Sequence, residues 1–239
     1  MIRRLLTALG LFAALFWSHG AHATWTLVQH KVALCSSANV TTCSVSVTST
    51  GAGHVIVAMS LIFDGTTTMS TSPTNGGNYT HCTSCRATDG SRGTDAWYTL
   101  SSSSGATSIV ANWSAATQGD VEVWELSTTA TAAFDTSGAT TNTTGAGVGL
   151  TLTGTDDAIL QGIVTAGTVT GISAGYTNDD ANPDGNGFAH AINTSSGAAP
   201  TWTGPSGVSN AVAGIAFSDS GGGGGPTCPQ TLALMGVGC

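Results

Sequence analysis

Short segments of alternating apolar and polar residues, separated by turn residues, are the feature that most limits how this chain can fold. Between residues 25 and 217 the apolar residues recur at every second position or in brief runs, with clusters of Gly, Asn, Asp and Ser between them. Such segments are too short for stable helices, and a period of two is that of a strand. The sequence therefore predicts an all-β fold.

About ten strands of this kind are predicted, and no stretch has the apolar stripe of a helix. So many short strands usually bury their apolar sides between two antiparallel sheets, so we expect a β-sandwich. The polar, glycine-rich residues 64–95 predict a long surface loop with one or two irregular strands. The predicted strands are Trp25–Leu34, Ser44–Thr50, His54–Phe63, Ala96–Leu100, Ser108–Trp113, Val121–Leu126, Val148–Thr153, Ala158–Thr165, Gly187–Ile192 and Asn210–Phe217.

The two ends of the chain differ in composition from its middle. Two arginines, an apolar run of thirteen residues and an Ala-His-Ala triplet are typical of a signal peptide at residues 1–23. A retained membrane anchor is the alternative, although the run is short for a bilayer span. Five consecutive glycines predict a flexible linker at residues 219–227, followed by a short cysteine-bounded tail at 228–239. One β-sandwich domain is expected at residues 24–218.

Cysteine usage and charge narrow the compartment and the partners. Six cysteines form three close pairs, which indicates disulfides in an oxidising compartment: the cell exterior or surface, or the periplasm. Nearest-neighbour pairing is the simplest of the fifteen connectivities. Only three basic residues follow residue 23, against thirteen acids, which makes nucleic acid and anionic membranes poor partners. The expected pairs are Cys35 with Cys43, Cys82 with Cys85, and Cys228 with Cys239.

Five short motifs follow one another in the first half of the chain, with Phe134-Asp135 after them. They are Gly53-His54-Val55-Ile56-Val57, Gly77-Asn78-Tyr79-Thr80, Ala96-Trp97-Tyr98, Thr107 to Trp113, and Val121-Glu122-Val123-Trp124-Glu125. In this order they resemble a loosely defined group of secreted bacterial β-sandwich proteins of uncharacterised function. The resemblance implies a jelly-roll-like antiparallel sandwich and implies no catalytic residue.

The most suggestive polar cluster is an acidic segment near residue 180. Asp180, Asn182 and Asp184 occupy alternate positions before a glycine, as in the first half of an oxygen-ligand calcium loop. The twelfth position is Ala191 instead of a bidentate Glu, so Asp179 or a distant carboxylate would complete the shell. The alternative is a plain turn, since Asp and Asn favour turns without an ion.

Alternating acids on one predicted strand resemble the E-x-D-x-E strand of jelly-roll endoglucanases. Asp120 and Glu122 would share one side and could act as acid and base. Gln118 occupies the nucleophile position, however, and it cannot form a glycosyl ester. The alternative is a strand whose two acids face solvent while Val121 and Val123 face the core.

Two other patterns match catalytic or metal motifs only formally. Ser173 lies in a G-x-S-x-G sequence followed by Asp184 and His190, but an Asn/Asp/Gly loop follows it instead of a helix. Cys82 and Cys85 form a C-x-x-C, and with no second such motif a local disulfide is favoured over zinc or redox chemistry. The isolated His30, His54 and His190 are expected to be ordinary strand residues.

Tryptophans provide the best candidates for ligand contact. Trp202, in a loop bounded by Pro and Gly, is the first choice for an exposed ring that stacks on a sugar, with Trp97 and Trp124 next. The alternative places most of the tryptophans in the core. We therefore expect a secreted, non-catalytic binding or adhesion module for an extracellular glycan or a neighbouring surface protein. A structural surface-layer or filament subunit, and a carbohydrate-active or ester hydrolase, are the alternatives.

Overall fold

The computed structural model describes residues 24–35, 37, 39–173, 175–181 and 185–219. This part of the chain is built from strands and one 3₁₀ turn, which confirms the all-β prediction. It contains no helix with the length and apolar character needed to cross a bilayer. The strands are β1 (Trp25–Leu34), β2 (Val40–Ser46), β3 (Val55–Ile62), β4 (Met69–Thr74), β5 (Thr80–His81), β6 (Ala87–Thr88), β7 (Gly93–Thr99), β8 (Ser108–Thr117), β9 (Gly119–Thr128), β10 (Ala132–Asn142), β11 (Asp157–Thr165), β12 (Gly171–Ile172), β13 (Thr177–Ala181), β14 (Gly187–Thr194), β15 (Trp202–Thr203) and β16 (Asn210–Asp219), and the 3₁₀ turn is Thr83–Cys85.

Four antiparallel sheets take the place of the two that were expected. The largest has the order β1-β9-β3-β7-β5, with β6 also paired to β7, and the next has the order β10-β16-β11-β14-β13. A three-stranded sheet, β2-β8-β4, and a two-stranded sheet, β12-β15, complete the set. Each large sheet takes its strands from one half of the chain, whereas a jelly roll interleaves them, so the jelly-roll detail is not confirmed.

The two halves of the chain, residues 25–128 and 132–219, repeat one topology. In both large sheets the first strand of the half, β1 or β10, pairs with the last strand of that half, β9 or β16. The next strands across the sheet are β3, β7 and β5 in the first half, and β11, β14 and β13 in the second. The registers agree as well. The first strand of each half has a bulge at its fourth residue, Val28 in β1 and Asp135 in β10. Thr80 pairs with Tyr98 as Thr177 pairs with His190. The fold is therefore an internal duplication.

Stacking of the two halves places both large sheets inside the molecule. One apolar core lies between the large sheets, a second between the first large sheet and the three-stranded sheet, and a third between the second large sheet and β12-β15. As a result β3, β9 and β11 are buried on both faces except for the last two residues of β9. A sandwich of only two sheets would leave one face of each strand exposed, which is not the case for these three.

Close contact between the halves depends on a glycine in the middle of a strand. A Cβ atom on Gly162 of β11 would lie 2.7 Å from the sulfur of Met59 on β3. Glycine weakens a strand, so its presence here marks a close approach between layers.

Local features agree in part with expectation. β1 has the predicted bounds, while residues 148–153 are not a strand and β10 was not predicted. β10 has small and polar residues with little alternation, and it is a strand because it pairs with β16. Two predicted disulfides, Cys35–Cys43 and Cys82–Cys85, are confirmed. The third pair, the signal peptide, most of the linker and the tail lie outside the described residues.

Candidate metal centre

Every histidine of the described chain contacts a buried carboxylate. This corrects the prediction that His30, His54 and His190 are isolated strand residues. A histidine side chain can donate to an acid and so offset the cost of burying it. The four pairs are His30–Glu122 at 3.1 Å, His54–Glu125 at 2.6 Å, His81–Asp95 at 2.7 Å and His190–Asp179 at 2.6 Å.

Two of these pairs converge at one end of the interface between the halves. Potential ligand atoms of His30, Glu122 and Asp179 all lie within 4.8 Å of one another. His30 Nδ1 is 3.1 Å from Glu122 Oε1, and His30 Nε2 is 3.9 Å from Asp179 Oδ1. The imidazole therefore lies between the two carboxylates. Its side chain is 39% exposed while both carboxylates are fully buried, so the cluster is open to solvent on the histidine side.

Three different strands position these groups. His30 is on β1 and Glu122 on β9, which pair within the first half. Asp179 is the bulged residue of β13, between Asn178 and Asp180 in the ladder with β14. The bulge turns the side chain of Asp179 toward the other sheet, since it contacts His30 and Trp124 there.

Asp179 is held by a hydrogen bond to each oxygen. Trp124 Nε1 donates to Oδ2 at 2.7 Å, and His190 Nδ1 pairs with Oδ1 at 2.6 Å. These bonds fix the carboxylate and leave lone pairs on both oxygens. Hydrogen bonds of this kind orient ligating carboxylates in metal sites.

Glu122 carries the strongest electrostatic perturbation in the cluster. Burial raises its pKa to about 8; the hydrogen bond to His30 lowers the pKa in part, and the charge of Asp179 raises it. The other carboxylate oxygen, Oε2, is buried and has no hydrogen-bond partner within the described residues. The hydrogen bond to Glu122 in turn raises the pKa of His30. Two buried carboxylates and a half-buried imidazole therefore share this site.

The burial of Glu122 corrects the expectation that the acids of this strand face solvent. Asp120 and Glu122 do share one side of β9, but that side faces the second large sheet and both residues are fully buried. Asn186 Nδ2 donates to Asp120 Oδ2 at 2.9 Å. A strand pattern alone shows which residues share a side and does not show what covers it.

The predicted calcium ligands are only partly described. Asp179 and Asp180 lie on β13, where a loop was expected, and Asn182 and Asp184 lie outside the described residues. Burial raises the pKa of Asp180, and the charge of His30 opposes this. Of the four predicted ligands, Asp179 is the one that enters the cluster.

The predicted aromatic contacts are mostly interior. Trp202 is only 2% exposed, which corrects the prediction that it is an exposed contact, and Trp124 is fully buried. Trp97 is half-buried, stacks on His81 with ring centres 4.6 Å apart, and donates to the Met69 carbonyl. These rings therefore do not form one exposed stacking face.

The formal serine motif does not assemble a charge relay in the described chain. Ser173 Oγ accepts a hydrogen bond from the Thr201 amide at 3.1 Å, and His190 Nδ1 is paired with Asp179. Asp184 lies outside the described residues. The C-x-x-C cysteines are joined in a disulfide, as expected.

Comparisons with protein-family models, with curated proteins and with solved structures give no match to this chain. The site must therefore be interpreted from its own chemistry. One imidazole and two carboxylates are the types of ligand that zinc and related divalent transition metals take in proteins. A second imidazole, that of His190, is hydrogen-bonded to the Asp179 carboxylate. Calcium instead prefers six to eight oxygen ligands.

Proposed function

We propose that this protein is an extracellular, non-catalytic binding module whose ligand is a divalent transition-metal ion of the zinc class. His30, Glu122 and Asp179 would bind the ion. The observation that carries the proposal is the carboxylate of Glu122: its buried Oε2 lacks a partner in the described structure, and the group lies within 4.8 Å of two further potential metal ligands. Buried acceptors are nearly always satisfied, and a cation would satisfy this one.

The spacing of the donors supports the proposal. Zinc binds nitrogen and oxygen at about 2.0–2.2 Å, so the ligand atoms of a tetrahedral site lie about 3.4 Å apart. An ion takes one nitrogen of His30, and with one atom from each residue the three candidate ligand atoms lie within 4.8 Å of one another. Small side-chain rotations would therefore complete a three-ligand site with one position open toward solvent.

Metal binding replaces sugar stacking as the preferred binding function because Trp124 and Trp202 are buried. Glycan binding, adhesion to surface proteins and a structural role remain proposals without a site among the described residues. Export is proposed from the signal-peptide pattern of residues 1–23, and the two disulfides are consistent with an oxidising compartment. The mass of the protein recovered outside the cell tests cleavage after residue 23.

The metal proposal is tested by titrating chelator-treated protein with zinc in a calorimeter. We expect one zinc ion per chain. We also expect a change in tryptophan fluorescence, because the Trp124 indole is hydrogen-bonded to Asp179, one of the proposed metal-binding residues. Glu122→Gln, which keeps the size but removes the charge, should weaken binding at least tenfold. Calcium should not compete at equal concentration.

Glu125→Gln is the matched control. Glu125 is equally buried on the same strand and is paired with His54, but it is outside the cluster. It should bind zinc like the unaltered protein. Absence of zinc binding, or equal weakening by both substitutions, would contradict the proposal and leave the cluster as a hydrogen-bonded network like the His54–Glu125 pair.

A further inference from the structure

We infer that the bound ion acts as a clamp between the two halves of the duplicated fold, an inference that rests on the metal-binding function proposed above. His30 and Glu122 belong to the first half and Asp179 to the second. An ion that contacts all three can bind with full affinity only while the halves are joined. Its binding energy therefore adds to the association of the halves.

The interface is otherwise mostly apolar. The core between the large sheets contains side chains of both halves, among them Met59, Leu61, Leu160 and Phe188. Among the described residues, the polar contacts that cross it include Trp124 with Asp179, Asn186 with Asp120, and the Trp25 backbone with Asn193. The acidic cluster is a place in this interface where an imidazole and two buried carboxylates from both halves meet.

The duplication shows what occupies the equivalent position at the other end. His30 pairs with Trp124 as Ser137 pairs with Ile215, two residues beyond the bulge in both halves. Glu122 lies two residues before Trp124, and Ala213 lies two residues before Ile215, so Ala213 is the counterpart of Glu122. Cys82 and Asp179 are also counterparts. Cys82 directly follows the second paired residue of β5, and Asp179 directly follows the second paired residue of β13.

At that second end the described contacts around Ser137 and Gly214 are made by uncharged groups. Ser84, in the 3₁₀ turn closed by the Cys82–Cys85 disulfide, is hydrogen-bonded to Ser137 of the second half. The sulfur of Cys85 lies 3.8 Å from the Gly214 carbonyl of β16. One end of the interface is therefore closed by a disulfide-braced turn, and a metal ion would have the corresponding role at the other end.

Linkage gives the size of the effect. A ligand that binds only the joined state strengthens association by the factor 1 + [L]/Kd. Zinc at 100 times its own dissociation constant should thus tighten the association of the halves about 100-fold. An ion held by His30 and Glu122 alone would produce no such change.

The test uses a full-length chain with a protease site inserted at residues 129–131, between β9 and β10, and cut after folding. Both described disulfides lie within the first half, so neither links the two fragments. The dissociation constant of the fragments is measured by sedimentation with zinc and with chelator. We expect about 100-fold tighter association with zinc, retained in Glu125→Gln and lost in Glu122→Gln.

Failure of the clamp and failure of metal binding give different results. Zinc binding to the uncut chain with unchanged fragment association would overturn the clamp alone, and no zinc binding to the uncut chain would overturn both. If the cut protein does not stay folded, the uncut chain provides the measurement. Zinc should raise its unfolding midpoint in the unaltered protein and not in Asp179→Asn, and an equal rise in both would refute the clamp.

Discussion

Replacing Asp157 with asparagine should stabilise this protein at neutral pH. Asp157 begins β11, is fully buried, and lies beside the carboxylate of Asp135. Burial and the charge of nearby Asp135 raise its pKa from 3.8 to about 6, and the charge of Asp219 adds to this. The Gly154 amide offsets part of the shift.

The sign and size of the effect follow from the raised pKa. The folded state binds this proton more tightly than the unfolded state, so the stabilisation is complete below about pH 4 and is lost as the pH rises through 6. A tenfold change in a proton equilibrium is worth about 1.4 kcal/mol, which gives an upper value of about 3 kcal/mol. Allowing for relaxation around the charge, we expect Asp157→Asn to gain about 2 kcal/mol above pH 7.

Urea unfolding of both proteins between pH 4 and 8 measures this difference. The variant should match the unaltered protein near pH 4 and exceed it by about 2 kcal/mol at pH 7.5, or about 4–8 °C in unfolding midpoint. Asp156→Asn, one residue earlier and partly exposed, is the control and should show no such trend. A destabilised Asp157→Asn at pH 7.5, or a difference independent of pH, would show that the buried carboxylate does not destabilise the folded state.

Three further substitutions, the first with a control, test the layered core. Gly162→Ala should cost about 1–2 kcal/mol because its Cβ would overlap Met59, whereas Gly171→Ala, whose nearest neighbour is 3.9 Å away, should be neutral; urea unfolding compares them. Trp202→Ala should cost about 3–5 kcal/mol in the same assay, and an unchanged stability would show that the ring is not in the core. Ser60→Ala should cost about 1 kcal/mol, because it leaves the buried Trp113 indole without its acceptor; thermal unfolding measures the loss.

The sequence was sufficient to predict strands and insufficient to predict layers. Alternation located most of the long strands, and β1 has its predicted bounds. It also placed Asp120 and Glu122 on the same side of β9. That side is buried because the second half of the chain packs on it. The two halves share strand topology and pairing register but little amino-acid sequence, so this contact was not visible in the sequence.

The candidate site was hidden for the same reason. His30, Glu122 and Asp179 are far apart in sequence and lie on three strands of two sheets. No spacing rule connects them, since metal motifs are recognised from ligands that are close in sequence. Asp179 was predicted as a metal ligand from its acidic neighbours, but its observed partners, Trp124 and His190, come from tertiary packing.

Anomalous diffraction from crystals grown with zinc, recorded on both sides of the zinc absorption edge, would locate the ion itself. We expect one peak per chain, about 2.0–2.2 Å from a nitrogen of His30 and from carboxylate oxygens of Glu122 and Asp179. A zinc-soaked crystal with no peak at this position, or with His30 and Glu122 still hydrogen-bonded to each other as they are here, would contradict it.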